Sequence, residues 1–163
     1  MATKVTAGKL NVSVTESVTV NGVEQTYTSV TSIAGIQRTH HRIIRVPLAD
    51  GAAPGNWTIF ASTGASAAGG AFVPADIKYI RITNLDDTNF VIIRFQEDGQ
   101  DQYNIRLSAG ETWTGYSAGF EAERVAGNIG NYAALRATAD SISAVAGGDA
   151  VDVEVFIASK TDT

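Results

Sequence analysis

Few residues in this chain have the type and spacing that chemistry requires. Its two histidines, His40 and His41, are adjacent. Neighbours on a strand point to opposite faces, so the pair cannot readily chelate one ion. Zinc takes three or four ligands, and the chain has no cysteine to supply thiolates. A hydrogen-bonded or interface histidine is the expected role. Asp86-Asp87 and the group Glu97, Asp98 and Asp101 could offer oxygens to calcium, yet neither follows the spacing of a dedicated calcium loop. Asp in a turn ordinarily bonds its own backbone. No Gly-x-Ser-x-Gly elbow is present, and no carboxylate pair stands out as in a glycosidase. The segment Gly64–Gly70 lacks the lysine of a phosphate-cradling loop. The expectation is a protein that is not an enzyme and uses no cofactor or metal.

Two constellations could instead make contacts. Arg38, Arg42 and Arg45 form a basic cluster in an otherwise acidic chain. They are either solvated strand-edge residues or a docking strip for an acidic neighbour, where the planar guanidinium grips carboxylates two bonds at a time. Trp57, Trp113, Tyr116 and Phe120 could stack on a sugar. In a β-protein such aromatics are more often core or interface anchors.

The elements that must position these residues read as strands throughout. Leu10, Val12 and Val14 alternate with Asn11, Ser13 and Thr15, the pattern of a half-buried strand. The run continues to Asn21-Gly22, a dipeptide suited to the positive φ angles of a type I′ hairpin. Tyr27–Ile33 returns as its partner. Thr39–Leu48 is a strand with Arg42, Ile44 and Val46 on one face and His41, Ile43 and Arg45 on the other, and Pro47 marks its end or a sheet edge. Trp57–Ala61 is short. Ser62–Gly70, built of small residues, is expected to be loop.

Ile77–Thr83, Phe90–Phe95 and Tyr103–Leu107, separated by tight polar turns, predict an antiparallel meander. Ile80 and Ile82 face inward, with Tyr79 and Arg81 on the other side. Phe90–Phe95 is apolar on both faces and so central or covered. Thr112–Tyr116 follows, and Gly119–Ala133 is expected to be a long loop. Ala134–Ala139, Ile142–Ala144 and a last strand from Val151 to Ile157 complete about nine or ten strands. The implied fold is all-β: a single antiparallel β-sandwich of jelly-roll or Greek-key type. It would span residues 10–159, with long loops near 62–76 and 117–133, an N-terminal arm over 1–9 and a tail over 160–163.

Composition narrows the partners. The 163 residues carry a net charge of −5, the wrong sign for a nucleic-acid phosphate backbone. Charged residues are 18% of the chain, against about 25% in ordinary soluble domains. A weakly charged surface rich in small residues suits contact with another protein. The N-terminus lacks the apolar core of a signal peptide, and no apolar run approaches membrane-spanning length. Synthesis in the cytoplasm without membrane association is expected, and the acceptor-like tripeptides at Asn11 and Asn56 are read as chance matches.

The runs YIRITNLDDTNFVIIRF (Tyr79–Phe95), IRLSAGETW (Ile105–Trp113) and VDVEVFIAS (Val151–Ser159) resemble a family of tailed-phage virion proteins found in marine and cyanobacterial phages. LNVSVTESVTVNG (Leu10–Gly22) and HHRIIRVP (His40–Pro47) resemble the opening of the same family. The resemblance covers most of the chain and rests on turn and strand signatures, not on reactive residues. It implies a structural component of the particle: a capsid decoration (cement) protein on the head surface, bridging major capsid protein subunits and self-associating as a dimer or trimer. A tail, neck or fibre-associated adaptor is the alternative, and a host-glycan-binding module a third. Contacts are expected from the terminal arm with Lys4 and Lys9, from Arg38, Arg42 and Arg45, from the small-residue loop with Phe72 nearby, and from Trp57 and Trp113.

Overall fold

A computed structural model describes residues 6–47, 57–61, 76–96, 102–116 and 141–160. Those residues are all-β. Ten strands follow in order: β1 (Gly8–Val20), β2 (Val23–Ile36), β3 (Arg38–Val46), β4 (Trp57–Ala61), β5 (Ile77–Asn84), β6 (Val91–Gln96), β7 (Gln102–Leu107), β8 (Thr112–Tyr116), β9 (Ser141–Ala146) and β10 (Val151–Ser159). Every pairing is antiparallel. Lys4, the loop Ser62–Gly70, Phe72, the acidic group Glu97, Asp98 and Asp101, Phe120, and the segments 117–133 and 134–139 lie outside the described residues.

The strands divide into three sheets: the pair β1-β2, a sheet ordered β3-β10-β5-β8 and a sheet ordered β4-β9-β6-β7. Alternation decides which side chains are buried. Val151, Val153, Val155 and Ile157 on β10, Ile77, Ile80 and Ile82 on β5, and Val91, Ile93 and Phe95 on β6 are almost wholly buried, and they belong to one apolar cluster drawn from both four-stranded sheets. Trp113 on β8 packs against this cluster, its ring 4.9 Å from that of Phe95 on β6. This aromatic contact ties one four-stranded sheet to the other.

The expected meander does not form. Only β6 and β7 pair as sequence neighbours within it; β5 lies in the other sheet, between β10 and β8. The alternation of β5 and β6 says which side chains go inside, but it is silent on which strand each one meets. The turn between them carries that information, and it crosses from sheet to sheet.

Asn84 organises the crossing. Its buried side-chain amide lies 2.8 Å from the Asn89 carbonyl, 3.2 Å from that of Leu107 and 3.0 Å from that of Ser108. Its Oδ1 accepts the Asp86 backbone N–H at 3.0 Å. The Asp86 carboxylate in turn accepts the backbone N–H groups of Thr88 and Asn89, at 2.9 and 2.6 Å. Those bonds, Asn89 first, hold its pKa below the usual carboxylate value. Turn-making is thus what this aspartate does with its Oδ1. Nearby, Glu111 N–H closes a turn onto the Ser108 carbonyl at 3.0 Å, with Gly110 at φ 73°, the positive angle that a type II turn puts at its third residue.

Candidate functional site

The hairpin β1-β2 is unlike the rest of the molecule. Asn21 and Gly22 both have positive φ, 52° and 79°, as a type I′ turn requires, and the ladder runs unbroken from Lys9↔Ala34 to Val20↔Val23. At the base the register skips Gly35, so that Gly8 opposes Ile36. Gly35 has φ 79°, the geometry of a bulge that bends a ribbon where only glycine is unstrained.

Cross-strand partners share a face, so the register sorts the ribbon into two. One face carries Leu10, Val12, Val14, Val18 and Val20 with Val23, Tyr27 and Ile33, interrupted by Glu16 on β1 and by Gln25, Ser29 and Thr31 on β2. The other carries Asn11, Ser13, Thr15, Ser17 and Thr19 with Glu24, Thr26, Thr28 and Ser32, and Val30 as its apolar member. On the polar face Thr15 and Thr28 hydroxyls meet at 3.2 Å, and Ser17 donates to Glu24 at 3.0 Å. That face satisfies itself.

The apolar face is only partly covered. At the root, Leu10, Val12 and Ile33 pack with Ile36, Tyr79, Phe156 and Ala158, on the side of the β3-β10-β5-β8 sheet that faces away from the shared core. Burial there raises the pKa of Tyr79. A cleft of about 280 Å³ opens where the ribbon leaves the sheet, lined by Leu10–Ser13, Tyr79, Arg81 and Phe156. From residue 13 to residue 30 every position is exposed; Val18 is 54% exposed and Tyr27 67%. The expectation of a half-buried strand therefore holds for Leu10 and Val12 and fails at Val14, which no part of the described chain covers.

The neighbouring outer face of the sheet is polar. Glu154 on β10 takes the His41 ring nitrogen at 2.7 Å on one oxygen and Arg81 at 2.9 Å on the other. Arg45 stands 3.6 Å from Asp152. His40 lies on the opposite side of β3, where partial burial, with Arg42, Arg38 and His41 nearby, pushes its pKa below the usual imidazole value. The two histidines diverge as alternation demands. So do the arginines: Arg38 and Arg42 share the His40 side, and Arg45 lies with His41 and Ile43, so the three do not form one strip along a single face. Of the remaining expected contact residues, Lys9 lies on β1 and Trp57 heads β4. Trp113, half-buried on Phe95, is engaged in the core.

No family model, curated protein or solved structure matches this chain. Among the described residues no group of three acidic, histidine or cysteine side chains is placed to hold a metal, and no helix is long and apolar enough to cross a membrane. The feature that the sequence reading did not single out is the bare ribbon. Its signal was visible in Val18, Val20 and Val23, apolar residues that flank the Asn21-Gly22 turn itself. The strands prove to be thirteen and fourteen residues long, against an ordinary length of about five or six.

Proposed function

We propose that this chain is a structural subunit of a phage particle, most consistent with a capsid decoration protein that binds the outer surface of the head and bridges major capsid protein subunits. The observation that carries the reading is the exposed apolar face of the β1-β2 arm. An isolated two-stranded hairpin is marginal in water, and an uncovered apolar stripe of this length marks an interaction surface. The resemblance of Tyr79–Phe95 and Val151–Ser159 to phage virion proteins supplies the context. The mechanism is mass action: many copies that bind only the assembled shell add their binding free energy to its resistance to rupture. The protein would be made in the host cytoplasm and reside on the virion.

We also read β3–β10 as one eight-stranded jelly-roll sandwich. Supporting this are the orders β3-β10-β5-β8 and β4-β9-β6-β7, in which β6-β7 alone joins consecutive strands within a sheet, and the core that both sheets share. An experimental structure whose two sheets do not face each other would refute it.

Copy number per virion tests the function. A value near that of the major capsid protein is expected, with deletion leaving heads that rupture more easily. A dozen or fewer copies, with tail attachment lost on deletion, would instead favour the tail or neck adaptor.

A further inference from the structure

Beyond Lys9 at its root, the arm carries charge of one sign. Between Lys9 and Arg38 the only charged residues are Glu16 and Glu24. The strand that follows, β3, carries Arg38, Arg42 and Arg45 and no acid, and it is an edge strand of its sheet. On the outer face of β3, Ile43 is 62% exposed, beside Arg45, whose side chain is 71% exposed and held only at 3.6 Å by Asp152. The root of the ribbon shows that its apolar face is compatible with this sheet: Leu10, Val12 and Ile33 already rest on Tyr79, Phe156 and Ala158. Both halves of a contact are thus present on one chain: exposed valines with Glu16 on the arm, and Ile43 with Arg45 on the β3 margin, where Asp152 and Glu154 of β10 lie alongside.

We propose that the arm of one copy lies on the β3 margin of the same sheet in a second copy, Val18 against Ile43 and Glu16 beside Arg45, pairs spaced two residues apart on both strands. The inference rests on reading the chain as an assembling structural subunit. Area decides the symmetry. Eight residues of ribbon beyond the root span roughly 27 Å, and two strands give a width of about 10 Å, so a seated arm and its seat together bury on the order of 540 Å². That is the scale of a lattice contact. Two reciprocal arms bury on the order of 1,100 Å², which clears the roughly 1,000 Å² of a specific interface. Reciprocal exchange also closes on itself as a two-fold pair and leaves neither arm bare.

The chain has no cysteine, so engineered pairs report cleanly. Chains carrying Val18→Cys are mixed with chains carrying Ile43→Cys and oxidised. The mixed disulfide should dominate, and the native chain should sediment as a dimer. Arg45→Glu should weaken dimerisation about tenfold, and adding Glu16→Arg should restore it. Circular dichroism of each variant checks that exposed-site changes leave the fold intact. If Val18→Cys chains link only to one another, arms pair with arms and the proposal is wrong. A native chain monomeric at every concentration overturns it equally. Monomers in solution with high copy number on virions would sink arm exchange and leave the particle role standing. Exchange-linked dimers with no copies on virions would do the reverse.

Discussion

Replacing Asn84 with alanine removes the side chain that holds the β5-to-β6 crossing. The amide nitrogen has two hydrogens for three carbonyls, those of Asn89, Leu107 and Ser108, and the amide oxygen accepts the Asp86 N–H. Counting two full donated bonds and one accepted, at about 1 kcal/mol net each, gives a loss near 3 kcal/mol. Asn84 is fully buried, so water cannot simply take its place. Against a total stability of about 5–15 kcal/mol, that is a large fraction. In urea, with a slope of about 2 kcal/mol per molar, the midpoint should fall by about 1.5 M with the slope unchanged. Asn84→Asp should be worse at neutral pH, because a carboxylate facing carbonyls has no hydrogen to donate. Acidification should narrow the gap, since a protonated carboxyl regains one donor. A loss below about 1 kcal/mol for Asn84→Ala, or an Asn84→Asp variant as stable as the parent, would show that the crossing does not depend on this amide.

Two further perturbations follow from the geometry. Asp86 has a folded-state pKa below its ordinary value because the Asn89 and Thr88 N–H groups bond its charged form. Its contribution is therefore complete above the unfolded value of about 3.9 and is lost as pH falls through the lower folded value. The stability difference between the native chain and Asp86→Ala should shrink on acidification, read from urea melts between about pH 6 and pH 2.5; a difference independent of pH contradicts the assignment. Trp113→Ala should cost about 2–3 kcal/mol, below the roughly 3–5 kcal/mol of a fully buried large aromatic because the ring is only half-buried. A cost below about 1 kcal/mol would mean that the two sheets do not depend on the Phe95–Trp113 contact.

How much of this could be read from the residues depends on what each signal encodes. Alternation in Val151–Ile157 and in Ile80 and Ile82 named the buried face, because a period of two is a local consequence of the pleat. Asn21-Gly22 named its turn, because positive φ at both positions is a local demand. Pro47 marked both a strand end and an edge. Partnership was not legible. Ile77–Leu107 looks like a meander because short polar turns between apolar runs are what hairpins and sheet-to-sheet crossings have in common. What separates them is the set of carbonyls that Asn84 reaches, two of which lie more than twenty residues away. The role of Trp113 was hidden for the same reason: its partner, Phe95, is on a strand that it does not pair with.

The arm takes that distinction furthest. Leu10, Val12, Val14, Val18 and Val20 form one alternating series, and nothing in the series changes between Val12, which packs on the sheet, and Val14, which is bare. Periodicity reports that a face is apolar and leaves open what covers it. Among the described residues, cover reaches the root of the ribbon only. A β-ribbon whose polar face bonds to itself and whose apolar face is left bare by the described residues is costly to leave in water, at about 25 cal/mol for each Å² of apolar surface left exposed. A free monomer would be served as well by a shorter hairpin, or by threonine and lysine in place of Val18, Val20 and Val23. The persistence of apolar residues out to the turn itself is what the proposed contact with another protein surface would account for.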